Sequence, residues 1–505
     1  MSKFGIEQVR ELASKHRVIP VIETLFAGSE TPVSIFEKLA GKKTGAFLLE
    51  SAEQGVWARY SFIGVNNRGA LSQASDGKVS WKSTTGASAL PDGAALDTTS
   101  ALGALRQVQE AWTSAPLGDL PPLTSGLVGV MAWDLIREIE NLPTVPVRDF
   151  ASPLLHLVMF EDLVVVDHLT SSVMLVANIF VTDGIDLDEA YGSALARIEL
   201  LKADLVKPSE SFFAQLDESA TSEVAHRVGH DEFLDAVEKS KHFVRIGDVF
   251  QVVISQRFDV DCEASPLDVY RALRALNPSP YMYLLNFADE SGEYSVVGSS
   301  PEALVQVADG KAIMHPIAGS RPRGKSVEAD EAAAENLLGD AKERAEHLML
   351  VDLARNDLLK VCEPNSVSVS EFMAIHRFSH IMHLVSTVEG QVRGDQGLVD
   401  VFKATFPAGT LSGAPKPRAL EIIDELEPAN RGIFGGVVGY FDFAGNADLA
   451  ISIRTAFIRD GKAHVQAGAG LVLDSDPESE YQETVTKAGA PLRAITLANS
   501  LKRQR

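Results

Sequence analysis

Two pairs of glutamates, Glu343 with Glu346 and Glu480 with Glu483, are the residues of this 505-residue chain whose type and spacing point most directly to chemistry. Each pair falls in a helix-like stretch at i,i+3, which puts both carboxylates on one helical face. Like charges at that spacing repel, and bringing all four together raises their pKa values unless a cation intervenes. Oxygen-only donors on rigid helices suit magnesium, which keeps several waters and shares its shell with an anionic substrate. Taken alone, the pairs read more simply as two solvated, Glu-rich helix faces, so the surroundings must decide.

The elements that would position them follow from periodicity and turn signals. Helices are expected at Ala101–Thr113, Leu187–Val206, Asp231–Ile246, Ala329–Asp357, Gly397–Thr405, Pro415–Leu426 and Pro477–Leu501. Strands are expected at Val18–Ile22, Phe47–Ser51, Tyr60–Ile63, Leu154–Phe160, Leu163–Asp167 and Val173–Val181 in the first half. In the second half they fall at Val249–Phe258, Tyr281–Phe287, Tyr294–Gly298, Leu304–Val307, Ala312–Pro316, Gly435–Phe443, Asp448–Ile458 and Ala463–Gly468. Strands clustered between helices, without strict βαβ alternation, predict an α+β fold: large antiparallel β-sheets in a sandwich-like core with helices packed outside. The length predicts two domains or one large interleaved unit. The polar stretch 207–230 is the linker candidate between segments 1–206 and 231–505.

Composition narrows the function classes. With 46 basic and 69 acidic residues the net charge is -23, which argues against nucleic acid or an anionic membrane as main partner. An anionic small molecule would need local Arg, Lys or metal. Two cysteines, Cys262 and Cys362, supply neither a disulfide framework nor a cysteine-based zinc site, and a reducing cytoplasm is expected. Met1–Pro20 lacks the apolar stretch of a secretory leader, and no apolar run reaches membrane-spanning length.

Gly319-Ser-Arg-Pro-Arg-Gly324-Lys325-Ser326 fits the phosphate-loop pattern GxxxxGK[ST], and Leu348–Asp352 imitates the second motif of a nucleotide hydrolase. The chemistry is poor. Such a loop wraps phosphates with successive backbone N–H groups, and Pro322 has none. The helical pattern resumes only near Glu328, so Lys325 and Ser326 are not expected to start a helix aimed at phosphates. Asp352 lies inside an amphipathic helix rather than at a strand end. A nucleotide hydrolase is rejected.

The same segment, extended to Pro316-Ile-Ala-Gly-Ser-Arg-Pro-Arg-Gly324, resembles a signature of chorismate-utilising enzymes. So do Gly298-Ser-Ser-Pro-Glu302, the run from Glu343 to Asp357, His383-Leu-Val-Ser-Thr-Val388, Phe406–Lys416, Gly435–Tyr440 and Gly468–Glu478. Seven ordered matches cover most of residues 231–500. The N-terminal half resembles the anthranilate synthase component I family. There, Phe47-Leu-Leu-Glu-Ser51 and Arg59–Gly64 are similar to one wall of its tryptophan feedback site, and Asn277-Pro-Ser-Pro-Tyr-Met-Tyr283 to the second. The resemblance implies a regulatory region at 1–206 and a chorismate-binding catalytic domain at 231–505. It assigns Glu50, Ser51, Asn277, Pro280, Tyr281 and Met282 to tryptophan.

Two positions separate the chemistries within that group. Members that add water carry a Lys where this chain has Gln251, and a neutral amide cannot deprotonate water. Relatives making 4-amino-4-deoxychorismate carry a nucleophilic Lys where Ala318 stands. Both point to direct amination and pyruvate loss, which is anthranilate formation. By resemblance, Glu346 and Glu483 hold magnesium, with Glu343 and Glu480 acting through waters. Glu302 protonates the departing ring hydroxyl, His383 handles a proton, and Arg454 takes the pyruvyl carboxylate. Gly468, Ala469 and Gly470 assist through backbone N–H groups, and Thr410, Lys487, Ala318 and Gly319 complete the pocket. Phe434 replaces a common Tyr. Neither cysteine resembles a glutaminase nucleophile, so ammonia must come from a separate glutamine amidotransferase subunit (component II) in a hetero-oligomer, or from free ammonium.

Overall fold

The computed structural model describes residues 5–41, 43–51, 59–74, 76–116, 118, 120–208, 213–377 and 381–504. Residues 209–212 of the linker candidate lie outside this set. Among the described residues one sheet links 21 strands, and its ladders run antiparallel. The strand Leu155–Asp167 is buried at almost every position instead of alternating, as a strand covered on both faces must be. Helices pack outside, which is the expected α+β architecture. No described helix is long and apolar enough to cross a membrane.

The two halves share this sheet. Strand Ala46–Glu50 pairs with Tyr281–Asp289, and Gly126–Met131 pairs with Val437–Asp442. Stretch 207–230 contributes two short strands, Phe213–Gln215 against Lys502–Gln504 and Ala225–His226 against Gln251–Asp261. Gly126–Met131 escapes a periodicity reading because it is buried throughout and rich in glycine. Its Gly129 is required: a Cβ there would lie 1.9 Å from the His156 carbonyl oxygen.

Two expected elements are interrupted, and both interruptions serve the site. The helix expected at Ala329–Asp357 is two helices, Val327–Gly339 and Ala341–Leu359. Asp340 between them has extended backbone, and its carboxylate accepts from the backbone N–H groups of Lys342 and Glu343. An N-cap thus starts a fresh helix whose first turns carry Glu343 and Glu346. The strand expected at Asp448–Ile458 is two strands, Ala447–Ile451 and Thr455–Arg459, and Arg454 between them sits at φ 52. The helix Pro477–Asn499, capped by Asp476, carries Glu480, Glu483 and Lys487 over strand Lys462–Leu471.

A buried ion pair ties these pieces behind the site. Arg431 donates to both oxygens of Glu427 at 2.6 and 2.9 Å and to the carbonyls of Leu411 and Val253, with Trp133 stacked at 4.2 Å. Glu427 also accepts from the backbone and hydroxyl of Ser255. Glu427→Ala should destabilise the protein by about 3–5 kcal/mol, because it strands a buried guanidinium; the denaturant midpoint measures this.

Candidate active site

Glu302 sits at a corner between strands Gly292–Ser300 and Ala303–Ala308. Its carbonyl accepts from Ile451 N–H at 2.9 Å, and the Thr410 hydroxyl donates to its Oε1 at 3.0 Å. Together with Pro316, Leu350, Leu353 and Asp357 it lines a cavity of about 40 Å³. Burial pushes its carboxyl up to about 7, against the opposing pull of Thr410, Lys487 and Arg454. A carboxylic acid that still holds its proton near neutrality can act as a general acid.

Arg454 lies close enough to Glu302 for each to bear on the other electrostatically. Its guanidinium takes part in no hydrogen bond or ion pair among the described residues, although Glu483 and Glu302 both bear on it electrostatically. Burial pulls it below its usual value, and those two carboxylates resist. An unpaired, part-buried guanidinium is poised for an incoming carboxylate. Gly468, Ala469 and Gly470 lie opposite Ser255, Ile254 and Val253 in the ladder between Lys462–Leu471 and Gln251–Asp261. The ladder on the strand's other edge stops at Val465, so beyond it alternate N–H groups face away from strand partners. Lys487 donates to the Gly468 carbonyl at 3.0 Å and pairs with Glu483 at 2.5 Å. Gly470 lies under the Gln251 amide, 2.4 Å from where a Cβ would stand, so a side chain there would displace that amide.

The glutamates approach from two helices. Burial raises Glu346, and the neighbouring charges of Glu343, Asp340 and Glu483 raise it further. Glu480 is likewise raised by burial and by Glu483, so the two pairs sense one another. Three of the four have a protein cation: Glu343 pairs with Arg321 at 3.2 Å, Glu346 with Lys342 at 3.9 Å, and Glu483 with Lys487. As they stand, no three acidic or histidine groups among the described residues converge on one ion position. The donor set nevertheless has the chemistry of a hard, oxygen-seeking cation.

His383 faces Ser320 in the ladder between Ile317–Pro322 and Ile381–Gln391, whose register slips between Ala318 and Ser320. Gly319 occupies the slip at φ 64, and its carbonyl accepts from His383 Nδ1 at 2.9 Å. A Cβ at Gly319 would meet Glu343 at 3.0 Å. Burial lowers the imidazole's pKa, and donation from Nδ1 fixes the tautomer with the lone pair on Nε2. Phe434 is buried beside the Arg431 guanidinium, 5.6 Å from its ring centre.

Where the resemblance places the tryptophan walls, Met282 pairs with Glu50 in register, and the buried hydroxyl of Ser51 that follows has no hydrogen-bond partner among the described residues. Sequence reading missed what holds Glu50. Tyr270 donates to it at 2.7 Å and Arg274 bidentately at 2.7 and 2.9 Å; their spacing on helix Pro266–Leu276 is the signal that was available. Asn277 bonds the Ser299 hydroxyl at 2.7 Å, Pro280 leads into the strand, and Tyr281 turns its hydroxyl to Asp448 at 3.1 Å on the opposite face. At the phosphate-loop lookalike one stated reason fails: Ser326 does cap a helix, accepting from Ala329 N–H. The loop is filled by the chain's own acid, since Asp330 accepts from Arg323 and from Gly324 N–H. Asp352 pairs with Arg355 in mid-helix.

The pattern defining the chorismate binding enzyme family matches residues 45–493. Over 504 residues the chain is 51% identical to anthranilate synthase component 1 of Arthrobacter globiformis, covering 98% of this chain and 94% of that protein. The component 1 of Mycolicibacterium smegmatis is 49% identical over 500 residues, with the same coverage, 98% and 94%. The crystal structure of anthranilate synthase component I from Streptococcus pneumoniae TIGR4 matches with a TM-score of 0.75 and 33% identity, across 93% of this chain and 99% of that one. The chain belongs to the family of chorismate-binding enzymes. Within it, it is an enzyme of the anthranilate synthase component I group.

Glu302 gives a stability signature. Its pKa rises on folding from 4.5 to about 7, so the stabilisation of its neutral form is complete below the lower value and lost as pH climbs through the upper. The ionised carboxylate should then cost on the order of 1–3 kcal/mol. Glu302→Gln is therefore expected to gain stability relative to the parent as pH rises from about 4 to about 8, read from denaturation midpoints.

Proposed function

We propose that this chain is the aminating subunit of anthranilate synthase, converting chorismate and ammonia to anthranilate and pyruvate with magnesium as the first step of tryptophan biosynthesis, under tryptophan feedback. The observation that supports the reading is the nearness of Glu302, whose carboxyl burial pushes up to about 7, to Arg454, a guanidinium with no hydrogen bond or ion pair among the described residues, each bearing on the other electrostatically.

Arg454 and the open-edge N–H groups near Gly468–Gly470 would receive the pyruvyl carboxylate and orient the ring. Ammonia then attacks as the ring C–O bond breaks, and the Glu302 proton leaves with the hydroxyl as water. His383, with its lone pair on Nε2, serves proton transfer in the elimination of pyruvate. Gln251 offers no base to activate water, and Ala318 offers no nucleophile, which together favour ammonia and direct amination. Glu346 and Glu483 would hold magnesium, with Glu343 and Glu480 supporting through waters. When bound, it neutralises the ring carboxylate of the substrate.

The ammonia source is proposed to be a separate glutamine amidotransferase. Cys262 and Cys362 are buried, and burial pushes both thiols up to about 11, the reverse of an activated nucleophile. Unpaired thiols also suit a cytoplasmic location. Tryptophan would occupy the pocket at Glu50, Ser51, Asn277, Pro280 and Met282, with Tyr281 contributing its backbone to the wall while its side chain faces the other way.

The test is incubation of the chain with chorismate, magnesium and ammonium salt, with chromatography of the products. Anthranilate with pyruvate is expected, suppressed by EDTA and reduced at least about 100-fold in Glu483→Gln. An aminated product that keeps its enolpyruvyl group would overturn the reading.

A further inference from the structure

Strand Tyr281–Asp289 lies between Ala46–Glu50, which carries Glu50, and Gly292–Ser300, which leads to Glu302. Side chains alternate across a strand, and here the alternation divides the pockets. Met282 and Leu284 face the core that also holds Leu48 and helix Pro266–Leu276, on the side of Glu50. Tyr281, Tyr283 and Leu285 face the opposite core. On that second face Leu49, Tyr283, Gly298 and Thr455 form one row across neighbouring strands. A Cβ at Gly298 would lie 2.1 Å from the Tyr283 ring, so glycine lets the ring cross its neighbour and reach Thr455.

That reach ends at the turn carrying Arg454. The Tyr283 hydroxyl lies 2.6 Å from Thr455 Oγ1, which itself donates to the Ile453 carbonyl at 2.8 Å. The Thr455 proton being committed, Tyr283 is the donor. Burial pushes its phenol up to about 12, so it keeps that proton at any working pH. The relay closes the turn Ile453–Thr455 around Arg454, whose φ of 52 is left-handed. A non-glycine residue stays there only when its surroundings over-determine it. The other restraint is Ser299 N–H donating to the Arg454 carbonyl at 3.2 Å, and the Ser299 hydroxyl is bound to Asn277. Both restraints on Arg454 therefore originate beside the wall formed by Asn277–Met282.

We infer that Tyr283 is a positioning residue for Arg454, and that its bond to Thr455 carries the state of the Glu50–Met282 pocket to that arginine. The inference rests on the proposed roles of the two pockets. An amino acid held between Glu50 and Met282 needs to shift the strand only slightly, because hydrogen bonds weaken steeply with misalignment. The turn at Arg454 then loses its closure, and the carboxylate it receives is held less tightly. Thermodynamic reciprocity requires chorismate to weaken the amino acid's binding by the same factor.

The test compares the full chain with Tyr283→Phe, which keeps the ring, and with Thr455→Ser, which keeps the hydroxyl. Chorismate affinity is measured by calorimetry without ammonia, KM and kcat with ammonium, and tryptophan binding alone and with chorismate. Thermal midpoints show that each variant is folded. Tyr283→Phe is expected to raise the chorismate Kd and KM about tenfold with kcat within about twofold, and to bind tryptophan as the parent does while no longer transmitting it to KM. Thr455→Ser should match the parent throughout. A parental chorismate Kd in Tyr283→Phe overturns the positioning role. A raised Kd with tryptophan inhibition intact overturns the coupling. A parent chain that binds no tryptophan refutes the pocket reading and the coupling with it, while the chorismate Kd still decides the positioning.

Discussion

Mutual repulsion among Glu343, Glu346, Glu480 and Glu483 is the constraint to which the second half of the chain is fitted. Two helices present these carboxylates to one another, and burial together with like charge raises Glu346 and Glu480. Such a cluster persists only if cations answer it. Arg321 pairs with Glu343 from the strand Ile317–Pro322, just past its register slip at Gly319, and Lys487 reaches Glu483 from one turn further along its helix. The break at Asp340 begins a new helix at the point where Glu343 can meet Arg321; a continuous helix would carry Glu343 around its axis by a different phase. A chain with net charge -23 offers an anionic substrate no general attraction, so those same local cations must also supply it.

The chemistry-bearing groups occupy places where the sheet releases its hold on the backbone. Glu302 stands at a corner between two strands, Arg454 in the gap between two others, and Gly319 at the register slip that sets His383. Inside a regular ladder the backbone polar groups are already spoken for and the side-chain directions are dictated by alternation. At a corner or slip both are released, at the cost of local strain. The surrounding strands are buried on both faces and hold these irregular points at fixed separations.

Much of this was legible from residue order. Helical spacing found the carboxylate pairs, and the turn signals found the strands that flank Glu302 and His383. The breaks were harder to read. Gly339–Asp340 is a stop followed by a cap, but the strongly helical stretches on both sides hide it. The gap at Ser452–Arg454 carries no glycine or proline, because the left-handed residue is Arg454 itself, held by bonds from other strands. Contacts such as Tyr283 to Thr455 join residues far apart in sequence through two strand pairings, and no local pattern encodes them. Burial is equally nonlocal: nothing beside Glu302 in the sequence foretells the enclosure that pushes its carboxyl up to about 7.

Glu302 and Arg454 also explain why so much structure is spent on keeping two opposite charges apart. Each bears on the other electrostatically, and a bidentate pair would be the ordinary outcome for a carboxylate and a guanidinium in a shared pocket. Such a pair would lower the carboxyl by one or more pKa units, on the order of 1–3, and leave it ionised at neutrality, with no proton to give. It would equally occupy the fork with which Arg454 can receive a substrate carboxylate. Thr410 holds Glu302 through Oε1, and the turn held by Thr455 and Ser299 fixes the backbone of Arg454. The acid keeps its proton and the arginine stays open because the fold withholds from each its most favourable partner, which leaves the proton of the one and the fork of the other available at neutral pH.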